Sequence, residues 1–166
     1  IRLLELIYTD GKFSEQEMDI VSTTIDVFNI SLEEYEIIKA YVFNFEREKL
    51  NLPDVLLIDG NDSSEQLIAK HIHCDLEGSI SILRVKSVDM YFVKYFGNSN
   101  ILLNGLVLNN RQIYLFAYGS TIKPPIGRPV YYNDVANKFL FDTVETNLSF
   151  EAKNLNYTFP NGNIGL

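Results

Sequence analysis

The sequence predicts an α+β protein, with a short N-terminal helical segment followed by an antiparallel β-sandwich. Three observations point there. Before residue 50, apolar residues recur at helical spacing behind two Ser-led capping signals. After Pro53 the apolar pattern switches to period two. From there to Tyr132, turn dipeptides such as Asn104-Gly105 and Asn109-Asn110 punctuate short runs rich in Val, Ile, Leu and Tyr.

Arg2–Tyr8 reads as a short helix that stops at an Asp10-Gly11 turn. Ser14-Glu15-Gln16-Glu17 is a capping box, in which the Ser14 hydroxyl accepts from the Glu17 amide and the Glu17 carboxylate reaches back. Met18, Val21, Ile25 and Phe28 follow as one apolar stripe, and Asn29 stops the helix. Ser31-Leu32-Glu33-Glu34 repeats the box, and Tyr35, Ile38, Val42 and Phe45 repeat the stripe. Helices on this scale bury too little to stand alone, so they must pack on another part of the protein or on a partner. A polar linker, Glu46–Asn51, leads to Pro53.

Strands are predicted over Val55–Ile58, Leu67–His73, Ser79–Val85, Met90–Tyr95, Ile101–Leu103, Ile113–Phe116 and Pro129–Tyr132. Lys123-Pro124-Pro125-Ile126-Gly127 is a loop, and Asn133–Phe141 a short helix capped by Asn133 or Asp134. Alternation returns at Leu148 and Phe150, then at Leu155, Tyr157 and Phe159, and runs into a Pro160-Asn161-Gly162 turn.

The chain carries 22 acids and 14 bases, a net charge of −8. The imbalance is local: residues 1–50 hold eleven acids and five bases, the rest eleven and nine. Such a surface repels nucleic-acid backbones and anionic headgroups, so nucleic-acid binding and direct membrane insertion are not expected. The longest apolar run, around Ile101–Leu108, is broken by Asn104 and Gly105 and falls well short of the roughly eighteen residues a membrane span needs. Ile1–Ile7 carries Arg2 and Glu5 within its apolar pattern, unlike a signal peptide. Cys74 is the single cysteine, which excludes an internal disulfide and points to a reducing, cytoplasmic setting.

The segment Leu148–Leu166, LSFEAKNLNYTFPNGNIGL, resembles the opening of an ABC-transporter ATPase domain. That resemblance implies that Tyr157 stacks on the adenine of ATP and that the chain is cut just inside the ATPase. ATP and magnesium are then expected only in a longer protein, whose phosphate-cradling loop would follow Leu166. The segment Leu50–Phe141 resembles a forkhead-associated (FHA) sandwich through ILLNG (101–105) followed by AYGSTIK (117–123). Where that family places an Arg and a Ser-Arg-x-His loop, this chain has Asn61 and Asp75-Leu76-Glu77-Gly78. Two carboxylates repel a phosphate dianion, which implies a sandwich without its phosphate site. The stretch YTDGKFSEQE (8–17) resembles a tellurite-resistance B-like domain and implies Asp10 and Glu17 as weak metal candidates. The same two residues have structural uses, Asp10 in a turn and Glu17 in a capping box.

Other chemistry is sparse. Period two puts His71 and His73 on one strand face and Cys74 on the other, short of a four-ligand zinc site. No Ser sits in a Gly-x-Ser-x-Gly turn. The expected organisation is a partial tellurite-resistance B-like helical segment (1–49), an FHA-like sandwich (50–142), and the start of a truncated ABC ATPase (143–166). The expected role is that of a non-catalytic regulatory or assembly region, on the cytoplasmic face of a membrane protein or in the cytoplasm. Its partners would be its own ATPase domain or another protein, with self-association possible through the C-terminal strand. The alternative is a free-standing phosphopeptide- or metal-binding adaptor.

Overall fold

A computed structural model of the chain describes residues 1–7, 14–61, 69–140 and 159–163. The Asp10-Gly11 turn, Leu67 and Tyr157 lie outside them. The described part is α+β. Three helices, α1 (Arg2–Ile7), α2 (Glu15–Val27) and α3 (Leu32–Phe43), precede nine strands. The strands are β1 (Val55–Asp59), β2 (Lys70–His73), β3 (Ser79–Val85), β4 (Met90–Phe96), β5 (Leu102–Leu103), β6 (Leu106–Val107), β7 (Ile113–Phe116), β8 (Thr121–Lys123) and β9 (Val130–Tyr131). A final helix, α4 (Tyr132–Leu140), follows at once. Among the described residues no helix is long and apolar enough to cross a membrane.

The strands form two sheets, one in the order β2-β1-β3-β4-β7 and one in the order β6-β5-β8-β9. All pairs are antiparallel except β1–β2, where Leu56 faces Lys70 and Asp59 faces His73 in parallel register. One core lies between the sheets. Leu56, Ile58, Ile80, Ile82, Val93 and Tyr95 meet Leu103, Ile122 and Val130, and α4 closes the end with Val135 and Phe139. A second core lies on the other face of the larger sheet. There Val55, Leu57, Leu83, Val85 and Ile113 meet Leu4, Ile7, Val21, Tyr35, Ile38, Tyr41 and Val42 of the helices. The larger sheet is thus covered on both faces, and β1 is buried at every residue. A strand covered on both faces reads as a continuous apolar run, as Val55–Ile58 does.

Local signals act as the sequence implies at α2. Ser14 Oγ accepts from the Glu17 amide, and Glu17 Oε2 accepts from the Ser14 amide at 2.8 Å. At α3 only the forward half forms: Ser31 Oγ accepts from the Glu34 amide, while Glu34 Oε1 takes the amide of Ser87 at 2.9 Å. The Glu34 carboxylate thus bonds the turn between β3 and β4 in place of its own cap. At α4 neither Asn133 nor Asp134 is the cap residue. Asp134 lies within the first turn, and its Oδ2 accepts from the Tyr131 amide at 2.9 Å. Phe45 falls beyond the end of α3 and is exposed, so the second stripe ends at Val42.

Candidate functional site

Two places gather polar and aromatic groups: the junction of helices and sheet, and an open cleft beside β2.

The junction is built around Lys94. In β4, residues 92, 94 and 96 share the helix-facing side, so the lysine points into the second core with its ammonium closed off from solvent. Its Nζ donates to the carbonyl oxygens of Tyr41 at 2.8 Å, Val42 at 3.1 Å and Asn44 at 3.0 Å. These are carbonyls at the C-terminal end of α3, which lack intrahelical partners and carry the negative end of the helix dipole. The rings of Phe45, Tyr41 and Phe96 surround the ammonium, with centroids 4.9, 5.4 and 5.9 Å from Nζ. Burial pulls the Lys94 pKa down to about 8, with Glu5 acting in the opposite direction. Beside it the Tyr41 hydroxyl lies 2.9 Å from the carbonyl oxygens of Ser81 and Phe92, between which its one proton is shared. Burial raises this phenol far above its ordinary range. Lysine and tyrosine therefore exchange hydrogen bonds across the layer boundary in both directions.

Sequence reasoning missed this pair. The available signal was the lysine in MYFVKYF, in phase with Phe92 and Phe96 on a strand with no polar face.

The cleft is about 950 Å³ and lies between β2, the Gly127–Val130 loop and α4. Among the described strands β2 is an edge of the larger sheet. Lys70 stacks on the Phe139 ring at 5.3 Å. Arg128 and Lys138 add cations, and Asp75 and Asp134 add anions, so the lining carries mixed charge. Cys74 belongs to the inter-sheet core. Burial pushes its thiol up, Asp75 adds to the effect and Arg128 opposes it. A protonated thiol is a poor nucleophile and a poor metal ligand. His71 and His73 lie on the opposite side of β2 from Cys74, as alternation requires. His71 Nε2 is 3.0 Å from Oδ1 of buried Asp59 in the adjacent strand. Asp59 Oδ1 also accepts from the Asn61 amide at 3.0 Å, closing an Asx turn. The Asp–His pair thus ties β2 and the Gly60-Asn61 loop to β1.

The two loops compared with the FHA phosphate site are neighbours in space. Gly60 packs under the carbonyls of Cys74 and Leu76. The Glu77 carboxylate accepts from Ser99 Oγ at 2.6 Å, and the Tyr95 hydroxyl donates to the Glu77 carbonyl at 3.1 Å. Asp75 Oδ1 lies 3.4 Å from His73 Nε2. The motifs that carry the FHA resemblance also meet. Asn104 and Gly105 both adopt positive φ, +52° and +85°, which makes the primed hairpin turn that Asn-Gly favours. Asn104 Oδ1 then accepts from the Thr121 amide at 2.9 Å, and Asn104 Nδ2 donates to Ser120 Oγ at 3.2 Å.

Of the weak metal candidates, Glu17 is engaged in the α2 cap, and Asp10 lies outside the described residues. Among the described residues no group of three or more His, Cys, Asp or Glu side chains is arranged to hold a metal ion. No family model, curated protein or solved structure matches the chain.

Proposed function

We propose that the chain is a non-catalytic regulatory or assembly region of an ATP-binding protein of the ABC-transporter class. It acts through contacts with its own ATPase domain or with another protein, on the cytoplasmic face of a membrane protein or in the cytoplasm. The observation that carries this reading is the Leu148–Leu166 segment and its likeness to the start of such an ATPase. Its described part, Phe159–Asn163, supports the reading as a reverse turn. The Phe159 amide donates to Asn163 O and the Gly162 amide to Phe159 O, both at 2.8 Å, with Gly162 at φ +83°. The Asn104 stitch between ILLNG and GSTIK supports an FHA-like sandwich upstream of it. The carboxylates of Asp75 and Glu77 argue against phosphate as its ligand.

The coding sequence after Leu166 tests the reading. A G-x-x-x-x-G-K-[ST] loop shortly downstream is expected, and an early stop overturns it. The 166-residue chain alone is expected to show no micromolar affinity for ATP with magnesium in calorimetry. Stacking on Tyr157 supplies about 1 kcal/mol, less than the cost of association.

A further inference from the structure

We propose that the open groove between α2 and the start of α3 is a docking site for a cationic amphipathic helix of a partner polypeptide. This goes beyond the transporter reading and stands separately, because the downstream coding sequence tests that reading and peptide binding tests this one.

The groove follows from how α2 ends. Asn29 takes φ +50°, and the Ile30 amide bonds back to Ile25 O at 3.0 Å, so the chain reverses tightly into the Ser31 cap of α3. The reversal leaves a groove of about 380 Å³ floored by Val21, Ile25, Ile30 and Tyr35 and flanked by Met18 and Leu32. Val21 is the buried residue of α2. Met18 is 43 % exposed, Leu32 73 % and the neighbouring Phe28 68 %. Of the apolar stripe read from the sequence, Met18 and Phe28 are thus exposed, Ile25 is half-buried and Val21 is buried. Met18, Val21 and Ile25 line it along two turns, the surface that a helix with anchors at i, i+3 or i+4, and i+7 fills.

Charge selects the occupant. From Ser14 to Ile38 the chain carries seven acids and no base. Asp26 lines the groove, and Glu15, Asp19, Glu33 and Glu36 are exposed on the same two helices, while Lys39, paired with Glu36, sits over the Tyr35 ring at 5.7 Å. A second copy would bring the same acidic face against itself. The chain's own residues 141–166 hold three acids and one base, so they complement it poorly. Nucleic acid and anionic lipid are repelled. An apolar stripe flanked by Lys or Arg matches both the floor and the rim, and rim charges of this kind steer association and specificity.

The test uses the full chain and a fluorescent amphipathic peptide with leucine anchors and lysines elsewhere, with a Lys→Glu twin as control. Saturable one-to-one binding of the lysine peptide is expected, weakening with salt. Met18→Gln with Leu32→Gln removes two exposed apolar contacts without changing charge or folding, checked by circular dichroism. It is expected to weaken binding at least about tenfold, the scale of losing one buried aliphatic side chain. Asp26→Lys with Glu33→Lys is expected to weaken the lysine peptide and strengthen its glutamate twin. The proposal is overturned by unchanged affinity in the glutamine variant, which would put the peptide elsewhere on the acidic surface. No saturable binding, or equal binding of the two peptides, overturns it too. So does binding that appears only after truncation at Thr146, or self-association that the glutamine variant abolishes, because the occupant would then be the chain's own tail or a second copy.

Discussion

At Lys94 a charged group leaves water and receives three carbonyl oxygens at 2.8–3.1 Å in exchange. Buried ammonium groups are costly unless each proton finds an acceptor, and here each does. Lys94→Met keeps the stem and removes the donors, leaving the end of α3 unsatisfied. The expected loss is about 1–3 kcal/mol, read as a lower denaturant midpoint. The pH dependence follows from the lowered pKa, about 8 against an ordinary 10.5. Between those values the unfolded chain binds a proton that the folded chain has released. The contribution is therefore fully present above the unfolded value and is lost as pH falls through about 8. Stability is expected to rise from pH 8 towards pH 10, and the Met variant is expected to lack that slope. The raised Cys74 thiol, from about pH 9, and the raised phenols of Tyr41, Tyr91 and Tyr132, above pH 10, act in the opposite direction, so the difference in slope between the parent chain and the Met variant over pH 8 to 10 decides.

The secondary-structure elements are short, and their ends are held by side chains. The β5–β6 hairpin has two residues per strand, too few to persist alone. Asn104 ties it to the smaller sheet by bonding Thr121 at the start of β8, which pairs with β5, and Ser120 just before it. Asn104→Ala removes both bonds and the residue best suited to φ +52°. A loss of about 1–2 kcal/mol is expected, with the denaturant m-value unchanged. An unaltered midpoint would show that the hairpin is held by its apolar contacts alone. At α3 the capping pattern was legible, but the diversion of Glu34 to Ser87 was not, because residues 34 and 87 lie 53 positions apart.

In the whole molecule the larger sheet is the middle layer, and neither of its faces is free. The helical segment supplies Leu4, Ile7, Tyr35, Ile38, Tyr41 and Val42 to one face and is joined to it by Lys94, Tyr41 and Glu34. Arg2 Nη2 reaches the Ile113 carbonyl at 2.9 Å on the far edge strand. Helices and sheet are therefore expected to unfold as one cooperative unit. A single calorimetric transition is expected for the chain. Deleting residues 1–49 bares Val55, Leu57, Leu83 and Val85 and is expected to abolish that transition or to cause aggregation, because an uncovered sheet face of this kind seeks a partner. Two separate transitions, or a folded and monodisperse fragment, would refute the joint.

The sequence by itself determined the Ser14 and Ser31 caps, the α+β order of elements, the Asn104-Gly105 turn and the opposed faces of His71 and Cys74. All of these depend on residues a few positions apart and on the periods of helix and strand. Its reading of function rests on three short resemblances, and Tyr157 and Asp10, which two of them single out, lie outside the described residues. Only the tertiary structure decided that β1 and β2 run parallel, that β1 is covered on both faces, that Glu34 leaves its cap and that Lys94 closes the end of α3. Only the structure showed that Met18 and Phe28, at the ends of the stripe, stay exposed while Val21 is buried. Each of these sets one segment against another tens of residues away. Periodicity records that a face is apolar, but what covers it depends on where the rest of the chain comes to lie.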